Sequence, residues 1–208
     1  GCGSPPGLTR FPRRPPVRVL GGRTRPNSYG WTGWFEPLVP RELRLEVAER
    51  VDADGNVLTP LDEDAVRRTV RELKDAGCEA LVIHFLHSYI NHSHEARALA
   101  IAREIWPNRY VTAGHLILSE YREYERGVTA AVNASVQPIL DRYIRRLVDE
   151  LRARGFSRDL LVMQGNGGTV AAGLVAETAV NTVMSGPASG IIAAAYSATA
   201  SGVANVIT

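Results

Sequence analysis

The stretch "EALVIHFLHSYINHSHEARALAIAREIWPNRYVTAG", Glu79 to Gly114, decides the fold. "EALVIHFL" is a short apolar run, rich in branched and aromatic side chains, and reads as a buried strand. "NHSHEARALAIAREIWP" carries a helical pattern that Ser93 is placed to cap and Pro107 stops. "RYVTAG" is short and strand-like again. Strand, helix and strand in this order, at these lengths, predict an α/β domain with a largely parallel or mixed sheet and flanking helices.

The neighbouring segments fit that class. On the N-terminal side, "LDEDAVRRTVRELKDAGC" is a marked helix. Acids crowd its first turn, Ala65, Val66, Val70 and Leu73 form an apolar stripe, and Gly77 stands where a C-terminal cap belongs. Before it, "LRLEVAERV" alternates apolar and polar residues, "DADGN" supplies a turn and "VLTPL" follows, which predicts a β-hairpin. "WTGWFEPLVP" suits an extended segment on a domain edge. On the C-terminal side, "SVQPILDRYIRRLVDELRARG" repeats Ile139, Leu140, Tyr143, Ile144, Leu147, Val148 and Leu151 at helical spacing. Pro138 marks a start or kink there, and Gly155 an end. "DLLVMQ" predicts a strand and "GNGGT" a turn. A helical stretch around Val175 comes next, then "NTVMSGPASGIIAA" opening an Ala-rich helix. The closing "NVIT" reads as the first half of a strand, so the chain reads as a fragment.

Composition narrows the function classes. A chain of 208 residues, 45% hydrophobic and 22% charged, can bury one substantial core, or one domain and part of another. No apolar run approaches the ~20 residues needed to span a bilayer. "GCGSPPGLTR" has no signal-peptide core, so the expected compartment is the cytoplasm. Cys2 and Cys78 have no metal-knuckle spacing, and Cys78 reads as a partly buried inert thiol. The six arginines of residues 1–35 (Arg10, Arg13, Arg14, Arg18, Arg23 and Arg25) precede the first acid, which leaves a mildly acidic body. Such an arm could bind nucleic acid, although its Pro and Gly content and lack of periodicity read as disorder. Lys74 is the one lysine in an arginine-rich chain, as a GC-rich gene would give.

Four stretches could carry chemistry. Gly165, Asn166, Gly167 and Gly168 form a glycine-rich turn directly after a strand. The turn either brings backbone N–H groups to a ligand or serves only as a tight turn; no Walker sequence follows. Ser185, Gly186 and Pro187 open a helix, with Ser185 as the expected N-cap. Their bareness suits either an anion at the helix start or close packing. His84, His87, His92 and His94 cluster beside Glu95. Their spacing departs from metal-ligand patterns, so no metal site is expected, and His87 or Ser88 is expected to end the strand at a site edge. Glu120, Arg122, Glu123, Glu125 and Arg126 read either as a salt-bridged, solvated helix face or as a substrate-facing polar cluster. No Ser-His-Asp or Cys-His spacing is present.

Taken in order, "FEPLVP", "ERVDADGNVLTPLDEDAV", "FLHSYINHSHE", "REYERG", "NASVQPILDRY", "LLVMQGNGG" and "SGPASG" resemble the hydantoinase A / 5-oxoprolinase family from about Arg25 to Thr208. The resemblance implies part of an actin-like ATPase fold of the sugar kinase and Hsp70 type. It also implies an enzyme that couples ATP and Mg²⁺ to the opening of a small cyclic amide such as a hydantoin or 5-oxoproline, working with a hydantoinase B-type partner. Related carboxylase subunits of the acetone and acetophenone type give an alternative. A non-catalytic module with a nucleic-acid-binding arm is a third reading.

On the resemblance, Gly165, Asn166, Gly167, Gly168, Ser185, Gly186 and Pro187 are expected at a ligand cleft. Glu123 and Arg126 are expected to position substrate or brace that cleft. The family's Asp-x-Gly-Gly-Thr phosphate loops are not found in these residues, and the chain alone is expected to be inactive. Residues 1–25 depart from the family pattern and are expected to derive from a shifted reading frame. Residues 26–118 read as the N-terminal-type region and residues 119–208 as the start of the hydantoinase A-type domain.

Overall fold

The computed structural model describes residues 7–11, as backbone, and residues 37–207. The rest of the Arg/Pro-rich arm, with Cys2, and the aromatic segment from Trp31 to Glu36 lie outside the described residues. Two compact units divide the chain, residues 1–135 and residues 136–208.

The first unit is α/β. Its sheet has the order β2 (Arg44–Glu46), β1 (Gly7–Phe11), β5 (Ala80–His84), β6 (Val111–Ala113). β1 runs antiparallel to both neighbours, while β5 and β6 are parallel, with Leu81 opposite Val111 and Ile83 opposite Ala113. The sheet is therefore mixed, as the sequence predicts. β5 is buried along both faces, and its side chains alternate between two cores. Leu81 and Ile83 pack with Val66, Val70 and Leu73 of α1 (Glu63–Asp75) and Ala98, Leu99, Ile101 and Ala102 of α2 (Ser93–Ile105). Ala80 and Val82 face Ala130, Ala131 and Ala134 on α4 (Glu123–Ala153). Small residues on α4 let the helix lie close to the sheet. Helices thus cover both faces.

Local chemistry sets the ends of these elements. Asp62 caps α1 by accepting the Ala65 N–H at 2.8 Å, and Gly77, at φ +78°, closes it. Arg97 grips Glu63 through two bonds of 2.7 and 2.8 Å and ties α2 to α1. Cys78 is buried in the α1–α2 core, its thiol against the Leu73 carbonyl. The predicted hairpin exists but starts later than the alternation suggests. β3 (Arg50–Val51) pairs with β4 (Val57–Thr59), whereas Arg44–Glu46 leave for the edge of the main sheet. Asp52 holds the connecting turn by accepting the N–H groups of Asp54 and Asn56.

Three further expectations are corrected. The irregular reading of residues 1–25 fails at Gly7–Phe11, because a strand slots between two partners whose open edges outweigh a weak local pattern. The acidic-basic stretch after Ser119 and the predicted C-terminal helix are one 31-residue helix, α4, with Pro138 inside it. "NVIT" forms no strand among its described residues 205–207; no neighbouring strand pairs with it.

The second unit contains the C-terminal half of α4, the antiparallel hairpin of β7 (Leu161–Met163) and β8 (Thr169–Ala171), α5 (Ala172–Val175) and α6 (Ser185–Ala200). Val175, Ala176 and Ala179 are buried there, whereas α6 buries none of its residues. No helix among the described residues is long and apolar enough to cross a membrane.

Candidate functional site

In open α/β sheets, ligand-handling residues gather beyond the carboxyl ends of parallel strands. β5 ends at His84 and β6 at Ala113, and the polar interior of the first unit lies at that edge. The first turn of α2 brings Glu95 to it, a favourable place for a carboxylate at the positive end of a helix. The short helix α3 (Gly114–Ile117), directly after β6, brings His115, and the first turns of α4 bring Glu123 and Arg126.

Glu95 is fully buried. Its Oε1 accepts the Phe85 N–H at 2.8 Å and the Ser88 hydroxyl at 2.8 Å. Its Oε2 accepts the His115 N–H at 2.9 Å and lies 2.8 Å from His115 Nδ1. Burial alone would raise the pKa of this carboxyl. The His115 ring, the two backbone N–H groups and Ser88 outweigh it and hold the group below its ordinary range, so it is a buried carboxylate.

His84 Nδ1 stands 3.8 Å from Glu95 Oε1, beyond hydrogen-bond reach, and is buried without a hydrogen-bond partner among the described residues. Burial, with the nearby Arg126 charge, pushes the His84 pKa down against the pull of Glu95. Gly114 and Gly127 leave room for this ring: a Cβ on Gly114 would sit 3.0 Å from His84 Nδ1, and one on Gly127 3.0 Å from its Cδ2. Arg126 is fully buried, donates to the Phe85 carbonyl at 2.9 Å and the Glu120 carbonyl at 2.7 Å, and lies 5.8 Å from the centroid of the Tyr89 ring. Its Nε has no hydrogen-bond partner among the described residues.

The histidine cluster therefore separates in space. His92 stacks on His115 with centroids 4.9 Å apart. His87, in a left-handed conformation at φ +54°, contacts the Val51 carbonyl, and His94 pairs with Glu49 at 2.8 Å. Ser93 is not the N-cap but the first residue of α2, its N–H bonded to Asn91 Oδ1. The solvated face read around residues 120–126 is real for the exposed pair Arg122–Glu125, but Arg126 belongs to the interior. His115 escapes a sequence reading because it lies twenty residues from Glu95, and only the parallel pairing of β5 with β6 brings the two together.

The glycine-rich turn lies in the second unit. Gly165 donates to the Asn181 carbonyl at 2.7 Å, Gly167 to Gln164 O at 3.0 Å, and Gly168 to Asn166 Oδ1 at 2.8 Å. A Cβ on Gly165 would run into the Val183 carbonyl oxygen. Ser185 is the first residue of α6 rather than its cap; Met184 holds the cap position at φ +63°, with no side-chain cap bond. Among the described residues nothing comes within 4 Å of a Cβ added at Gly186 or Gly190.

The glycine-rich turn offers the phosphates of ATP, which the family resemblance implies, no open N–H at Gly165, Gly167 or Gly168, since each is already bonded within the unit. No group of three or more His, Cys, Asp or Glu residues suited to a metal occurs among the described residues.

Comparison with known proteins gives these residues a context. Residues 3–106 match the family described as the hydantoinase/oxoprolinase N-terminal region, and residues 126–208 the one described as hydantoinase/oxoprolinase. The match begins inside the Arg/Pro-rich segment. The caprolactamase alpha subunit of Pseudomonas jessenii is 37% identical over 171 residues, covering 82% of this chain and 25% of that protein. The acetophenone carboxylase gamma subunit of Aromatoleum aromaticum is 36% identical over 176 residues, covering 82% and 24%. The crystal structure of ATP-dependent caprolactamase from Pseudomonas jessenii superposes with a TM-score of 0.78 at 35% identity, over 90% of this chain and 27% of that one. The chain spans about a quarter of the length of the curated relatives it matches.

Proposed function

The chain belongs to the hydantoinase/oxoprolinase family, and from that premise we propose that it serves an ATP-dependent amidohydrolase that opens small cyclic amides of the hydantoin or 5-oxoproline type. The observation that carries the reading is the pair of family matches, which together take in most of the chain, joined by the likeness to a caprolactamase in sequence and in fold. An amide carbon is a poor electrophile, and phosphorylation of its oxygen by ATP makes attack by water feasible.

In this reading the nucleotide and Mg²⁺ are held by parts of a longer protein with an actin-like fold. A hydantoinase B-type partner completes the enzyme, and the cytoplasm supplies the ATP. The carboxyl edge of β5 and β6, with Glu95, His115, Glu123 and Arg126, faces the substrate chemistry. Gly165, Asn166, Gly167, Gly168, Ser185, Gly186 and Pro187 would line the ligand cleft as bare surface rather than as phosphate donors.

A ketone carboxylase is the second reading, favoured by the near-equal identity to the acetophenone carboxylase subunit. The test is a panel of cyclic amides and ketones offered to the full-length protein with its partner, with ADP release and product measured together. Amide opening that depends on ATP supports the first reading, bicarbonate-dependent consumption of a ketone supports the second, and ADP release with neither rejects both.

A further inference from the structure

At the carboxyl edge of β5 and β6, the geometry around Glu95 fixes which nitrogen of His115 carries a proton. Each oxygen of the Glu95 carboxylate already receives a backbone N–H, from Phe85 on one side and His115 on the other. A buried carboxylate held in this way accepts and does not donate. The 2.8 Å contact between Oε2 and His115 Nδ1 therefore requires Nδ1 to be the donor. The neutral ring then carries its lone pair on Nε2, and no bond engages that nitrogen among the described residues. The carboxylate, its own backbone and the stacked face of His92 hold the ring in place, and 11% of the side chain is exposed. His84, the other histidine on Glu95, lacks such a bond, and burial beside Arg126 disfavours its protonation.

We propose that His115 Nε2 is the proton acceptor of the reaction and that Glu95 is the positioning residue that fixes its tautomer. The inference rests on the amide-opening reading above. As the water oxygen bonds to the carbonyl carbon, one water proton moves to Nε2. As the carbon–nitrogen bond breaks, Nε2 returns that proton to the departing ring nitrogen, so the imidazole is unchanged after each turnover. The carbonyl carbon keeps the phosphorylated oxygen as an acyl phosphate, which a second water cleaves to carboxylate and inorganic phosphate. A ketone substrate would need the same nitrogen to remove a proton from the carbon beside its carbonyl.

The experiment uses the full-length protein with its partner subunit. His115→Gln should lower kcat by about 10²- to 10⁴-fold with KM changed by no more than a few-fold. Glu95→Gln should lower kcat by a smaller factor, and free imidazole should restore part of the rate to His115→Gly. A second readout needs no turnover: diethyl pyrocarbonate at neutral pH, with peptide mapping. His115 should be modified in the wild type and more slowly in Glu95→Gln, while exposed His92 reacts equally in both. Retention of kcat within a few-fold in His115→Gln overturns the proposal, as does an unmodified His115 in wild-type protein whose His92 has reacted. Wild-type protein that turns over neither amide nor ketone rejects the functional reading instead, and the mapping then decides on its own whether Nε2 is an available base. If Glu95→Gln fails to fold, the His115 variants carry the test.

Discussion

Glycines in this chain differ in what they make room for, and substitution separates them. Gly114 and Gly127 pack against the His84 ring, so an alanine at either must displace a buried imidazole beside a buried carboxylate. Gly114→Ala should cost about 1–3 kcal/mol, read from urea midpoints at constant m. Gly165→Ala meets a backbone carbonyl, which cannot rotate away, and should lie at the upper end of the same range. Gly186→Ala and Gly190→Ala meet nothing among the described residues and, being helical, should be neutral or slightly stabilising in the 208-residue chain. A large loss at Gly186 in that chain would show a contact the structure lacks. The bare strip Ser185–Gly190 is thus not explained by packing within the described residues, whereas the bareness of Gly165 is.

Among the elements, α1 and α6 sit at opposite extremes. α1 has a side-chain cap, a glycine stop and a buried stripe of Val66, Val70 and Leu73. Asp62→Ala removes the cap bond to Ala65 and should cost about 1 kcal/mol, with Asp62→Asn largely restoring it. α6 is apolar yet buries no residue, and leaves Ile191, Ile192 and Tyr196 exposed. A helix of 16 residues without a buried face is marginal in water. Hydrogen exchange on the 208-residue chain should therefore show the α6 amides far less protected than those of α1 or β5. Equal protection would mean that α6 is covered in solution.

At the scale of the whole molecule, the buried Glu95–His84 centre couples the first unit to pH. The folded pKa of His84 lies below its ordinary 6.5, so as pH falls past 6.5 the unfolded chain binds the proton first and stability declines. The folded pKa of Glu95 lies below its ordinary 4.5. Its contribution is present in full above that value and is lost as pH falls through the folded pKa. Acid should thus weaken the protein in two stages, the first beginning near pH 6.5 and the second below 4.5. Urea midpoints measured from pH 8 to pH 3 test this. His84→Gln, if folded, should flatten the first stage, whereas Glu95→Gln should flatten the second and deepen the first, because the carboxylate no longer favours the His84 proton. A wild-type curve level down to pH 4 contradicts the coupling.

The order of the main elements from residue 44 onward, the class of the sheet and the burial of β5 were legible from the chain, because burial periodicity and end signals are local properties of the sequence. Family membership was legible too, through short motifs kept in order. What Glu95 does was not. Its partners Phe85, Ser88 and His115 lie seven to twenty positions away, and only parallel pairing of β5 and β6 sets them around one carboxylate. The residue pattern leaves Arg126 between a solvated helix face and a site-facing cluster, and in space it is buried, because helix α4 starts earlier than its apolar repeat suggests. β1 lacked a signal of its own and exists through its two neighbours. Sequence by itself determined what could be settled within one or two turns of chain; the tertiary structure decided which charges are buried and what they face, since desolvation and hydrogen bonding depend on neighbours that chain order does not specify.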